Sequence, residues 1–129
     1  MKRILIVDDE PMILRIMRVA LEDRGYVVES AENGERALEK IDSFVPDAVV
    51  TDIDMPRMNG RQLCTRLRQN FPADDLPVFV VTAKTAVEHR DWSSLIDNLH
   101  FLEKPVSIRR LCAGLDLALA KGETRDLCT

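Results

Sequence analysis

Short, nearly continuous apolar runs recur along the chain at Ile4 to Val7, Tyr26 to Val28, Ala48 to Val50 and Val78 to Val81, with a weaker fifth at Phe101 and Leu102. They are rich in Val and Ile and do not alternate with polar residues, which predicts strands covered on both faces. Between them the apolar positions change to helical spacing. Met12, Ile13, Ile16, Met17, Ala20 and Leu21 repeat every three to four residues, with Pro11 at a first-turn position and Gly25 as a stop, and so predict a first helix. Ala37, Leu38 and Ile41 mark a second; because helical period follows Asn33-Gly34, Asn33 reads as a cap and the pair not as a hairpin turn. Leu63, Cys64 and Leu67 mark a third that ends in the region of Pro72. Ala86, Val87, Trp92, Leu95 and Ile96 give an irregular fourth within 85–97, and Ile108, Leu111, Cys112, Leu115 and Leu119 a clear fifth.

Strands and helices in alternation predict the α/β class: a doubly wound, five-stranded parallel sheet with five helices divided between its two faces. At 129 residues the chain has the size of one domain. That domain is assigned to residues 1–120, leaving 121–129 as a short polar tail or the start of a linker, predicted to fray.

Composition removes several functions. With 46% hydrophobic and 31% charged residues the chain is an ordinary globular one. A net charge of −4 offers no basic field for nucleic acid, so direct DNA binding is not expected. No run approaches the roughly 18 apolar residues of a membrane span, and the apolar start from Ile4 to Val7 is too short for a signal peptide. Cys64, Cys112 and Cys128 are odd in number and far apart, which favours reduced thiols, packing residues and a cytoplasmic setting over a disulfide framework or a zinc site.

In open parallel sheets, sites form beyond the carboxyl ends of the strands. The first strand ends in Asp8, Asp9 and Glu10, the third in Asp52, the fourth in Thr82 and the fifth in Lys104-Pro105. A parallel sheet gathers these at one edge. Carboxylates so crowded raise one another's pKa unless a cation compensates. With only oxygen ligands on offer, the hard ion Mg²⁺ fits. Lys104 and Thr82 add an ammonium and a hydroxyl for the oxygens of a phosphoryl group, and Asp52, on the central strand, is the candidate nucleophile.

At these residues the chain resembles the receiver domain of two-component response regulators, from Arg3 to about Ala120. The resemblance rests on "ILIVDDE", "VVTDIDMPRMNG", "VFVVTAK" and "FLEKP", in that order and spacing. It implies a CheY-like, flavodoxin-like fold with Asp52 as phosphoacceptor. It also implies Asp9 as a direct Mg²⁺ ligand, Asp8 as a ligand mainly through water, Asp52 as a ligand besides its role as acceptor, and Asp54 contributing its backbone carbonyl. Thr82 and Lys104 would bind the phosphoryl oxygens, and the Lys104-Pro105 bond would be cis. Phe101 matches the switch aromatic, coupled to Thr82, and the surface of the fourth helix, fifth strand and fifth helix would be the output face. A receiver catalyses only its own phosphorylation and dephosphorylation. The implied partners are a sensor histidine kinase or a histidine phosphotransfer protein upstream, and a protein target or fused output domain downstream, with a homodimer through the last two helices compatible with the pattern.

Where the family often has Gly-Ala, this chain has Asp97-Asn98. Asp54 and Lys84 occupy the positions that flank the phosphoryl group in the family, and their opposite charges suggest a pair across the mouth that sets the lifetime of the phosphorylated form. A haloacid-dehalogenase-like phosphatase is the enzyme alternative, because "DIDMP" copies an Asp-x-Asp motif; a receiver that binds partners without accepting phosphate is the other. His89 and His100 read as surface residues, Asp74-Asp75 as a solvated loop, and Trp92 as either core or output face.

Overall fold

A computed structural model describes residues 2–53, 58–71, 75–82, 99–104 and 107–128, with side chains to Leu119. The strands are β1 (Arg3–Val7), β2 (Val27–Ala31), β3 (Ala48–Asp52), β4 (Val78–Thr82) and β5 (Leu99–Glu103); the helices are α1 (Pro11–Asp23), α2 (Gly34–Phe44), α3 (Gly60–Asn70) and α4 (Ile108–Cys128). The strands form one sheet in the order β2-β1-β3-β4-β5, every pairing parallel. Chain order reverses between β1 and β3, which puts the crevice of such a sheet beyond Val7 and Asp52.

The expectation of strands covered on both sides holds most fully at the centre. Ile4 to Val7, Val49, Val50, Val78 and Val80 have no exposed surface. Leu5, Val7, Val49, Val78 and Val80 pack with Ala37, Ile41, Leu63 and Leu67 of α2 and α3. Ile4, Ile6, Val50, Phe79 and Val81 pack on the other face with Met17 and Leu21 of α1 and Leu111, Leu115 and Leu119 of α4. Each such side chain contributes on the order of 1.5–3 kcal/mol, and the central strands are therefore held from both sides.

The caps follow local chemistry. Pro11 opens α1, and Gly25, at φ 93°, closes it in the left-handed region that favours glycine. The Asn33 side chain accepts from Arg36 N–H at 2.9 Å, so Asn33 is a cap as the sequence suggested. Asn59 and Gln62 form a capping box at α3: the Asn59 side chain accepts from Gln62 N–H and the Gln62 side chain from Asn59 N–H.

Three expectations change. The two edge strands are longer than their apolar runs, because backbone pairing carries β5 from Leu99 to Glu103 and β2 from Val27 to Ala31. Met12 and Ile16, grouped by period with the apolar face of α1, are 74% and 50% exposed, while Met17 and Leu21 are buried. The last helix is longer than its apolar stripe, extending past Leu119 to Cys128 through a stretch in which Ala120, Lys121, Glu123 and Arg125 favour helix and no proline intervenes. The predicted fourth helix, Lys84, His89, Trp92, Asp97-Asn98 and Asp74 lie outside the described residues, as do Asp54 and Pro105.

Candidate functional site

Asp8 follows directly on β1, whose four apolar residues pull it to the sheet edge and leave it 2% exposed. Its Oδ1 accepts from Glu10 N–H at 2.9 Å. Oxygens of Asp8, Asp9 and Glu10 lie within 4.8 Å of one another, with Asp9 and Glu10 exposed. Burial pushes the Asp8 carboxyl up to about 6; repulsion from Asp52 and Asp9 adds to this, while the Glu10 N–H and Lys104 act against it. A carboxyl so raised, in an all-oxygen cluster, is a group that a hard divalent cation would return to its ionised form, so the residues fit Mg²⁺.

Asp52 ends β3 and is also 2% exposed. Its Oδ1 accepts from Ile53 N–H at 2.8 Å and faces Lys104 Nζ at 3.0 Å. Lys104 follows β5, and its main-chain N–H donates to Thr82 O at 2.8 Å, which brings the ends of β4 and β5 together beside Asp52. Burial works to lower the Lys104 ammonium, but the hydrogen bond and charge of Asp52, with Asp8 and Glu10 behind, outweigh it and hold it above its ordinary value. Lys104 is therefore a fixed positive charge at neutral pH. Thr82 is 1% exposed at the end of β4.

Asp8, Glu10, Asp52 and Lys104 line one cavity of about 470 Å³ together with the apolar Ile13, Ile16 and Ile108. The structure thus brings Asp8, Asp52 and Lys104 together, sets Thr82 on the adjoining strand end and Asp9 beside Asp8. Glu10 joins the acidic group although the predicted metal set was Asp8, Asp9, Asp52 and Asp54; its position directly after the acidic pair was the available signal. Phe101 is half-buried and packs on the core face shared by α2 and α3. His100 is exposed, as expected, and stacks on Phe79 with ring centroids 4.6 Å apart.

A cation-poor acidic corner, a lysine on the central aspartate and a β2-β1-β3-β4-β5 sheet narrow the choice of family, and comparison with known proteins decides it. The family model of the response regulator receiver domain matches residues 4–116. This chain belongs to the response regulator receiver family. It is 38% identical over 124 residues to the response regulator MprA of Mycobacterium ulcerans (strain Agy99), covering 96% of this chain and 53% of that protein. A second MprA, from Mycolicibacterium vanbaalenii, is 39% identical over 119 residues, covering 92% and 51%. The chain spans about half the length of the curated relatives it matches.

Solved receivers superpose closely. A CheY-like receiver domain protein from Methanospirillum hungatei JF-1 gives a TM-score of 0.86 at 31% identity, covering 97% of this chain and 98% of that one. The response regulator TrrA of Thermotoga maritima, solved in complex with Mg(2+)-BeF, gives 0.79 at 32% identity, covering 92% and 99%. The receiver family and its CheY-like fold, as the sequence implied, replace the phosphatase alternative. Among the described residues no helix is long and apolar enough to cross a membrane.

Proposed function

We propose that this receiver accepts a phosphoryl group on Asp52 from a histidine kinase or histidine phosphotransfer protein, in a Mg²⁺-dependent reaction. The observation that carries the reading is the Lys104 ammonium 3.0 Å from Asp52 Oδ1, in one cavity with the buried Asp8. Asp9, Asp8 and Asp52, with the backbone carbonyl of Asp54, would hold the Mg²⁺, which supplies positive charge to the phosphoryl oxygens when bound.

The chain's own groups do the rest. Ile53 N–H and Lys104 hold the Asp52 carboxylate in one orientation, which leaves its second oxygen as the nucleophile. Once that oxygen is esterified, the Lys104 ammonium and Thr82 hydroxyl would bind the oxygens of the transferred phosphoryl. Thr82 and Phe101, on neighbouring strands, would report the event to the surface of β5 and α4. The chain catalyses only its own phosphorylation and dephosphorylation.

On the incoming side, Met12, Ile16 and Val19 form an exposed apolar stripe on successive turns of α1, and Ile16 also lines the cavity. A phosphodonor helix would cover this stripe while presenting its histidine to Asp52. A downstream protein or fused output domain would read the change at the surface of β5 and α4, in the cytoplasm, with a homodimer as one route.

Incubation with acetyl phosphate and Mg²⁺, followed by intact mass, tests the reading. A single phosphoryl adduct is expected on the wild type and none on Asp52→Asn. Absence of an adduct on both would leave the alternative, a receiver that only binds partners.

A further inference from the structure

We propose that Thr51 is a positioning residue for the phosphoacceptor: its hydroxyl, with the backbone of Gly60, fixes the peptide group that orients the Asp52 carboxylate. The proposal rests on the reading of Asp52 as phosphoacceptor and adds a residue to it. Thr51 has no exposed surface, in a strand whose other core members are Ala48, Val49 and Val50. A buried hydroxyl is costly unless it is bonded, and valine has the same shape without that cost. Packing alone therefore gives no reason for threonine here.

Its bond supplies one. Thr51 Oγ1 donates to the main-chain carbonyl of Asp52 at 2.9 Å. The first residue of α3 crowds that same carbonyl: a Cβ on Gly60 would lie 2.4 Å from Asp52 O and 2.7 Å from Ile53 Cα. Gly60 N–H also donates to Ile53 O at 2.9 Å. The N–H of the Asp52–Ile53 peptide points to Val81 O at 3.2 Å and to Asp52 Oδ1 at 2.8 Å. Because a peptide group is planar, holding its carbonyl sets the direction of its N–H. That N–H grips the same Oδ1 that faces Lys104. The side chain at position 51 thus controls the angle of the carboxylate at position 52 without touching any reacting atom, and a small error in that angle is enough to slow a transfer that depends on alignment.

Thr51→Val, Thr51→Ser and wild type are compared in the full chain by two measurements. The first is amide hydrogen exchange at Ile53 in the metal-free protein. The second is the rate of adduct formation with acetyl phosphate and saturating Mg²⁺, with Asp52→Asn as the blank. Thr51→Val is expected to exchange Ile53 about tenfold faster and to be phosphorylated about tenfold more slowly, the equivalent of one lost hydrogen bond. Thr51→Ser, which keeps the donor, is expected to stay within about twofold of wild type in both. Wild-type rates in Thr51→Val overturn the proposal and leave the phosphoacceptor reading intact. Equal slowing in Thr51→Val and Thr51→Ser assigns the effect to packing and also overturns it. A wild type that takes up no phosphoryl overturns the reading beneath it. Should Thr51→Val not fold, Thr51→Cys, a weak donor of similar size, takes its place with the same outcomes.

Discussion

Replacing Asp8 by Asn should make the metal-free protein more stable, although Asp8 is central to the proposed metal site. Asp8 is 2% exposed, and its carboxyl is pushed from 3.8 up to about 6, chiefly by burial. The folded state therefore holds the proton more tightly than the unfolded state does. Below about pH 4 both states are protonated and the group costs nothing. As pH rises from there to about 6 the unfolded chain ionises first, and stability falls. Above that range the cost is complete: a rise of roughly two pKa units, at about 1.4 kcal/mol each, gives about 3 kcal/mol. Asn is neutral and nearly the same shape, and its carbonyl oxygen can still accept from Glu10 N–H.

Urea unfolding followed by circular dichroism in EDTA checks this. Asp8→Asn should exceed wild type by up to about 3 kcal/mol at pH 7.5, a midpoint shift of about 1–2 M urea, and the gap should close toward pH 4. Millimolar Mg²⁺ should then raise wild type by a comparable amount, about 2.7 kcal/mol at a hundredfold excess over Kd, and Asp8→Asn by much less. A metal-free Asp8→Asn no more stable than wild type at pH 7.5 would refute the reasoning, since the burial that raises the pKa must then be absent.

Other consequences can be measured in the same way. Gly60→Ala places a methyl 2.4 Å from Asp52 O, so it should destabilise by more than about 2 kcal/mol in urea and slow adduct formation, because backbone must move. Val45 caps α2 at φ 51° and ψ 71° while 61% exposed, so Val45→Gly should raise stability by about 1 kcal/mol by calorimetry, with relief of the β-branched left-handed strain outweighing glycine's entropy. Tyr26 O–H and Arg24 both bond to Asp116, holding its carboxyl below the usual range. That contribution is complete above the unfolded pKa near 4 and is lost as pH falls through the lower folded value. Tyr26→Phe should therefore cost about 1 kcal/mol at pH 7 and less near pH 2, read from urea midpoints. Burial pushes the Cys64 thiol up to about 12, so it should resist alkylation by iodoacetamide at pH 8 until urea unfolds the chain.

The sequence by itself determined the class of the fold, the order of its described elements and which polar groups gather at one edge of the sheet. Unbroken apolar runs such as Ile4 to Val7 can be satisfied only by a strand covered on both faces, and Pro11, Gly25 and Asn33 carry their conformational preferences locally. Asp8, Asp9, Asp52, Thr82 and Lys104 were legible because each ends a strand, and parallel strands end together. What tertiary structure decided is everything that depends on contact between segments. Met12 and Ile16 share the period of Met17, yet only packing against the sheet and α4 determines which of them is covered. The lengths of β2 and β5 come from backbone pairing, which apolar runs do not encode. Nor does any pattern along the chain reveal that Gly60 lies on the Asp52 carbonyl, or that the Ile53 N–H grips the carboxylate. Those contacts join residues by close approach of backbone, and backbone is the part of a protein that its sequence of side chains describes least.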